Sequence, residues 1–156
     1  MTKQFKNVTV TIESLNMTDA ARVLKKQGIS ATVIEIRLIR STYLVRYTVN
    51  GKKCATFLKT QDLISAKIES RVKSSQNVEF NYIAGVPGAD AVVGETSNGH
   101  SVEIDYSAHT IDCTCKDFGK IALNGKSICK HSIKFAKATL DVGSLTELVE
   151  YFAYAA

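Results

Sequence analysis

The chain has 156 residues, 45% hydrophobic and 22% charged, with four cysteines and a formal net charge of +5. That composition fits a soluble globular protein of one domain or two small ones; no apolar run nears the ~20 residues of a membrane span, and the first seven residues lack the apolar stretch of a secretory signal. The expected location is cytoplasmic or nucleoid/nuclear, not secreted, where thiols stay reduced and four cysteines argue for metal before disulfide.

Phe5 to Ile12 alternates Val8, Val10 and Ile12 with threonine and reads as a strand. Thr18 is placed to cap a helix, with Asp19 in its first turn, an Ala21/Val23/Leu24 stripe and Gly28 as its stop. Thr32 to Arg40 alternates again. Tyr43 to Val49 and Lys52 to Leu58 flank Asn50-Gly51, the pair that a two-residue type I′ turn prefers. Such a turn pairs Val49 with Lys52, Tyr47 with Cys54, Val45 with Thr56 and Tyr43 with Leu58, and sends Arg46 and Lys53 to the opposite face. Cys54, Tyr43 and Tyr47 are therefore expected in the core, not as a metal ligand or as base-stacking groups.

Thr60 caps a helix through roughly Lys73, with Leu63, Ile64, Ile68 and Val72 on one stripe and Lys67 and Arg71 facing elsewhere. Ser74-Ser75-Gln76-Asn77 is polar and marks a boundary. A strand at Val78 to Tyr82 and a Gly85-Val86-Pro87-Gly88 break follow. A second hairpin runs from Ala91 to Ser97, turns at Asn98-Gly99 and returns from His100 to Tyr106, with Ile111 to Cys113 as a short further strand. From Cys129 the pattern is helical, with Ile133, Ala136 and Leu140 on one face. The last helix starts at Ser144, whose capping box is completed by Glu147; Leu145, Leu148, Val149 and Phe152 form its apolar side.

Charge is laid out in blocks along these elements. Residues 1–75 carry +9, residues 76–112 carry −6 without a lysine or arginine, residues 113–140 carry +5 and the tail carries −3. Basic blocks of this kind suit a polyanionic partner, although a solvated lysine-rich surface produces the same pattern.

The run that carries chemistry is Cys113-Thr114-Cys115-Lys116-Asp117-Phe118, followed at Ile128 by Cys129-Lys130-His131. Cysteines at i and i+2 of an extended segment point the same way, and a small bend brings both sulfurs within ~2.3 Å of one ion. Cys129 and His131 would sit about 200° apart in a regular helix, so the helix has to begin at this pair. Three thiolates and one imidazole saturate a tetrahedral zinc ion, which makes the expected role structural. His100 and His109 are the rival ligands, with His109 as a substitute. Against this stand three unrelated cysteines, or a Cys-x-Cys disulfide in a small strained ring.

With these residues the chain resembles the SWIM zinc fingers, whose pattern is Cys-x-Cys, a variable spacer, then Cys-x-His. The resemblance covers roughly residues 90–140, including His100-Ser101-Val102-Glu103-Ile104-Asp105 and Cys129-Lys130-His131-Ser132-Ile133. It implies a ββα module with Cys113, Cys115, Cys129 and His131 as ligands of one structural zinc, and a role in DNA binding or protein–protein interaction. Lys116 and Ile128 stand where the family often has proline, and the spacer is long, with Asn124-Gly125 suggesting an extra turn. The helix–three strands–helix order of residues 18–73 is similar in topology to double-stranded RNA-binding domains, but Thr60-Gln61-Asp62 replaces the lysine-rich start of their second helix.

The expected fold class is α+β: a β-α-β-β-β-α basic domain (1–75), a SWIM-like zinc-finger domain (76–142) and a C-terminal amphipathic helix (143–156). The expected function is non-catalytic nucleic-acid binding, DNA ahead of RNA, through Lys116, Lys120, Lys126, Lys130, Lys134, Lys137, Arg37, Arg46 and Lys53. The alternative is an adaptor that uses the zinc module and C-terminal helix for a protein partner or self-association. Neither a membrane nor a small-molecule substrate is expected. No Gly-x-x-x-x-Gly-Lys loop, His-Glu-x-x-His or deaminase motif points to an enzyme. Glu103 and Asp105, the acids best placed to share a magnesium ion, find no further carboxylate converging on them.

Overall fold

Asn50 and Gly51 both take positive φ, 48° and 76°, the type I′ geometry whose twist suits a two-residue hairpin. The four pairs expected from that turn all form, from Val49 opposite Lys52 to Tyr43 opposite Leu58. The computed structural model describes residues 8–10, 15–123 and 126–153, with backbone alone for residues 8–10, 123, 126, 149, 152 and 153. Its elements in chain order are β1 (Val8–Val10), α1 (Met17–Lys26), β2 (Thr32–Ile39), β3 (Thr42–Val49), β4 (Lys52–Lys59), α2 (Thr60–Ser75) and β5 (Phe80–Gly85). They continue with β6 (Ala91–Thr96), β7 (Ser101–Asp105), β8 (Thr110–Cys113), β9 (Ile121–Leu123), β10 (Lys126–Ile128), α3 (Lys130–Thr139) and α4 (Leu145–Ala153). The fold class is α+β. The described residues form two compact units, residues 15–69 and residues 8–10 with 70–153.

The first unit is an antiparallel β2-β3-β4 sheet with α1 and α2. Tyr43, Val45 and Tyr47 alternate into the core from the central strand, joined by Leu58, by Ala20, Val23 and Leu24 of α1, and by Leu63, Ala66 and Ile68 of α2. Three expectations are corrected here. The cap of α1 is Asn16, not Thr18: its Oδ1 accepts from the Thr18 and Asp19 amides, and Asp19 Oδ2 accepts in return from the Asn16 amide at 3.1 Å, a capping box. Lys67 does not face elsewhere; it is 5% exposed and its Nζ lies 3.5 Å from the buried Asp19 carboxylate. Cys54 pairs with Tyr47 as expected but is exposed. It stands on an edge strand whose residues Lys52–Ala55 are all exposed, and on β4 only Leu58 is buried. Register chose its face, while the extent of cover decided its burial.

In the second unit β5-β6-β7-β8 form an antiparallel meander, and α3 packs on β6, β7 and β8. The expected two-residue turn at Asn98-Gly99 is a three-residue loop instead: the Thr96 amide donates to the His100 carbonyl at 2.8 Å, and only Gly99 takes positive φ, 80°. Thr96 Oγ1 holds the loop by accepting from the His100 amide and donating to Asn98 Oδ1. This register faces Gly94 to Val102 and Val92 to Ile104, all on the buried side. β1 pairs antiparallel with β9, which also pairs with β10. The N-terminal strand thus belongs to the second unit. The remainder of the expected Phe5–Ile12 strand and the Asn124-Gly125 turn lie outside the described residues.

Gly94 is where β6 meets α3 most closely. A Cβ there would fall 2.4 Å from Phe135 Cε2 and 3.0 Å from Phe80 Cδ1, and Phe135 is completely buried. Gly94→Ala forces that ring from its site and should cost on the order of 2 to 3 kcal/mol. Gly85→Ala, with open space around the added methyl, should stay within about 0.5 kcal/mol of wild type. Denaturant midpoints of the two variants measure the difference.

Candidate metal centre

β8 alternates Ile111 and Cys113 inward, so the first cysteine reaches the core beneath α3. The strand then ends, and a turn starts at Cys115, whose carbonyl accepts from the Phe118 amide at 3.0 Å. That bend returns the second sulfur to the side of the first. Cys129 is the N-cap of α3, with extended φ and ψ of −144° and 178°, as the angular constraint on Cys129 and His131 requires. Its Sγ accepts from the Ser132 amide at 3.4 Å, and Ser132 Oγ accepts from the Cys129 amide at 2.7 Å. His131, in the first turn, brings Nδ1 to 3.8 Å from Cys113 Sγ and 3.9 Å from Cys129 Sγ.

The four side chains are buried, and their ligand atoms all lie within 4.8 Å of one another. A tetrahedral ion with metal–sulfur bonds of ~2.3 Å and metal–nitrogen bonds of ~2.0 Å separates sulfur from nitrogen by about 3.5 Å. The observed sulfur–nitrogen separations are within a few tenths of an ångström of that edge. The residues present therefore fit one metal ion.

Electrostatics within the cluster is uneven. The Cys113 thiol is pushed far up by its hydrogen bond to Cys129 and by burial. Cys115 is pushed up by burial and by the Cys129 charge. Cys129 is pushed down to about 5, because Cys113 donates to it and the Ser132 amide adds a second donor at the helix N-terminus. Burial lowers His131 and keeps its imidazole neutral. Before metal binding the cluster is thus one thiolate, two thiols and a neutral ring.

The rival ligands lie elsewhere. His109 has φ of 50°, its Nδ1 is 3.2 Å from the Tyr151 carbonyl and its ring stacks on Tyr151, so the structure does not place it as a substitute ligand. His100 packs its ring at 4.8 Å from that of His131 without joining the cluster. Two supports were not singled out from the sequence. Ser132 closes the α3 cap, signalled only by its position three residues after Cys129. Asp117, in the turn after Cys115, takes Arg71 of α2 at 3.0 Å and Lys120 at 2.6 Å; these cations, Lys120 first, hold its carboxyl below the usual range.

The residues expected to contact nucleic acid are spread over both units. Lys116 is exposed, Lys120 is engaged with Asp117, and the Lys126 side chain lies outside the described residues. Lys130, Lys134 and Lys137 are half-buried on α3, and among the described residues no carboxylate comes within 4.0 Å of them. In the first unit Arg37, Arg46 and Lys53 are exposed, with Arg46 paired to Glu35 at 3.1 Å. Among the described residues no helix is long and apolar enough to cross a membrane. Comparison of the chain with protein-family models, with curated proteins and with solved structures finds no match.

A divalent ion entering this cluster must displace the protons of Cys113 and Cys115. Protons compete with the metal, so apparent affinity rises with pH. Its logarithm should climb by about two per pH unit near neutral pH and more steeply in acid, where Cys129, with its pKa pushed down to about 5, and His131 also take up protons. Titration with Co2+, followed by its thiolate charge-transfer absorption, measures the slope. Cys113→Ser or His131→Ala should strip amide-exchange protection from residues 90–140 while residues 15–69 keep theirs.

Proposed function

We propose that Cys113, Cys115, Cys129 and His131 hold one structural zinc ion in a SWIM-like module, and that the protein is a non-catalytic nucleic-acid-binding protein with DNA ahead of RNA. Three sulfurs and an imidazole suit the borderline-soft zinc ion better than calcium or magnesium, which take oxygen. Four protein ligands close the tetrahedral shell and leave no position for a reacting water, which favours a scaffold over a catalyst.

The observation that carries the nucleic-acid reading is the lysine row on α3. Lys130, Lys134 and Lys137 follow a helical i, i+4, i+7 spacing on the helix that Cys129 caps, without a neighbouring carboxylate among the described residues. Lys134 and Lys137 line a shallow cleft of about 270 Å³ with Ser75, Gln76 and Ala138. Ammonium groups left without acidic partners are available to phosphate oxygens, and each contact releases a counterion. The metal would fix the start of that helix and hence the direction of the row. The adaptor alternative relies on a bare apolar side of α4, and Leu145 and Leu148 on that side are buried within the unit; the Val149 and Phe152 side chains lie outside the described residues.

The test is binding of the zinc-loaded protein to labelled duplex DNA, single-stranded DNA and RNA across a salt series. The logarithm of affinity should fall linearly with the logarithm of salt. Replacing Lys130, Lys134 and Lys137 together by glutamine should flatten that slope by about two to three units. A slope unchanged by the triple replacement would remove α3 from the interface, and absence of binding at low salt would sink the nucleic-acid reading altogether.

A further inference from the structure

Alternation along β2, β3 and β4 gives the first unit's sheet two unlike faces. One is the core face of Tyr43, Val45, Tyr47 and Leu58. The other carries Phe57, which is 62% exposed although it sits next to the buried Leu58. The registers place Phe57 opposite Leu44 and Leu44 opposite Arg37, with Arg46 opposite Ala55 and Glu35 in the next row. Lys53 and Lys59 lie on the same strand as Phe57 and, by the period of two, on the same face. Arg37, Arg46, Lys53 and Lys59 are all exposed. Glu35, the one acid on this face, is tied to Arg46 at 3.1 Å.

An open sheet face with one exposed aromatic ring surrounded by four cations matches a ligand that offers flat π surfaces and a negative backbone together. Duplex DNA hides its base faces in the stack, whereas a single strand presents them. Toward the other end of the strands, Glu35, Arg46, Lys53 and Ala55 of this face line a cleft of about 480 Å³ together with Ile34, Tyr47 and Cys54, within the range that admits a small ligand group. We infer that this face binds single-stranded nucleic acid, with a base stacked on Phe57 and the backbone led past it by Arg37, Arg46, Lys53 and Lys59. The inference rests on the nucleic-acid reading above and names the strand state that the first unit selects.

The chain has no tryptophan, so Phe57→Trp in the zinc-loaded 156-residue chain installs a single indole reporter at the stacking position. A thymidine oligonucleotide of about 15 residues should quench its emission saturably, and a duplex of the same length at the same concentration should not. Phe57→Ala, which removes an exposed side chain and leaves the core intact, should weaken single-strand binding roughly tenfold in fluorescence anisotropy. Lys53→Gln combined with Lys59→Gln should flatten the salt dependence. Oligonucleotide binding by anisotropy with neither quenching nor loss in Phe57→Ala would overturn this inference while leaving nucleic-acid binding standing. No binding of any oligonucleotide would overturn both. Quenching or a blue shift caused by phosphatidylserine vesicles, and not by oligonucleotide, would reassign the face to an anionic lipid surface.

Discussion

Three cysteine sulfurs gathered in a protein interior have two electrostatic options: most of them keep their protons, or a cation joins them. The opposite shifts of Cys113 and Cys129 express the first option. One thiolate is affordable because it caps a helix and receives donors from Cys113 and Ser132. The second option needs no rearrangement of the backbone, since the ligand atoms already lie within 4.8 Å of one another. Strand β8, the bend at Cys115 and the first turn of α3 are each placed by this convergence.

The spacer between the two ligand pairs is itself folded. β9 and β10 pair with each other and β1 adds a third strand; Asp117 ties the turn after Cys115 to Arg71. An unstructured loop of this length would charge its closure entropy against metal binding, and the added sheet reduces that charge by ordering most of the loop beforehand. Gly94 serves the same end from the other side, because its missing side chain lets Phe135 seat α3 on β6.

Each unit presents its cations differently. In the second they lie along one helix face, suited to a row of phosphates. In the first they surround an exposed ring on an open sheet, suited to bases as well as phosphates. A positive patch becomes selective when something other than charge is presented with it, and in the proposed reading Phe57 is the group that would supply this in the first unit.

Much of the local structure was legible in the chain. Asn50-Gly51 dictated a turn type and, through it, four strand pairs. The Cys113/Cys115 and Cys129/His131 spacings dictated a bend after a strand and a helix beginning at Cys129, because regular geometry keeps either pair from one ion. These rules act over a few residues, where covalent geometry leaves little choice. Other features depended on partners far along the chain. Lys67 is buried because Asp19, 48 residues away, awaits it; β1 leaves its sequence neighbours because β9 offers an edge. Cys54 shares the face of Val45 and Leu58 yet is exposed, and Phe57 is exposed on the opposite face. Period-two alternation assigns a side chain to a face, but which faces and which ends of strands are covered is a collective outcome of packing, and that the tertiary structure alone decided.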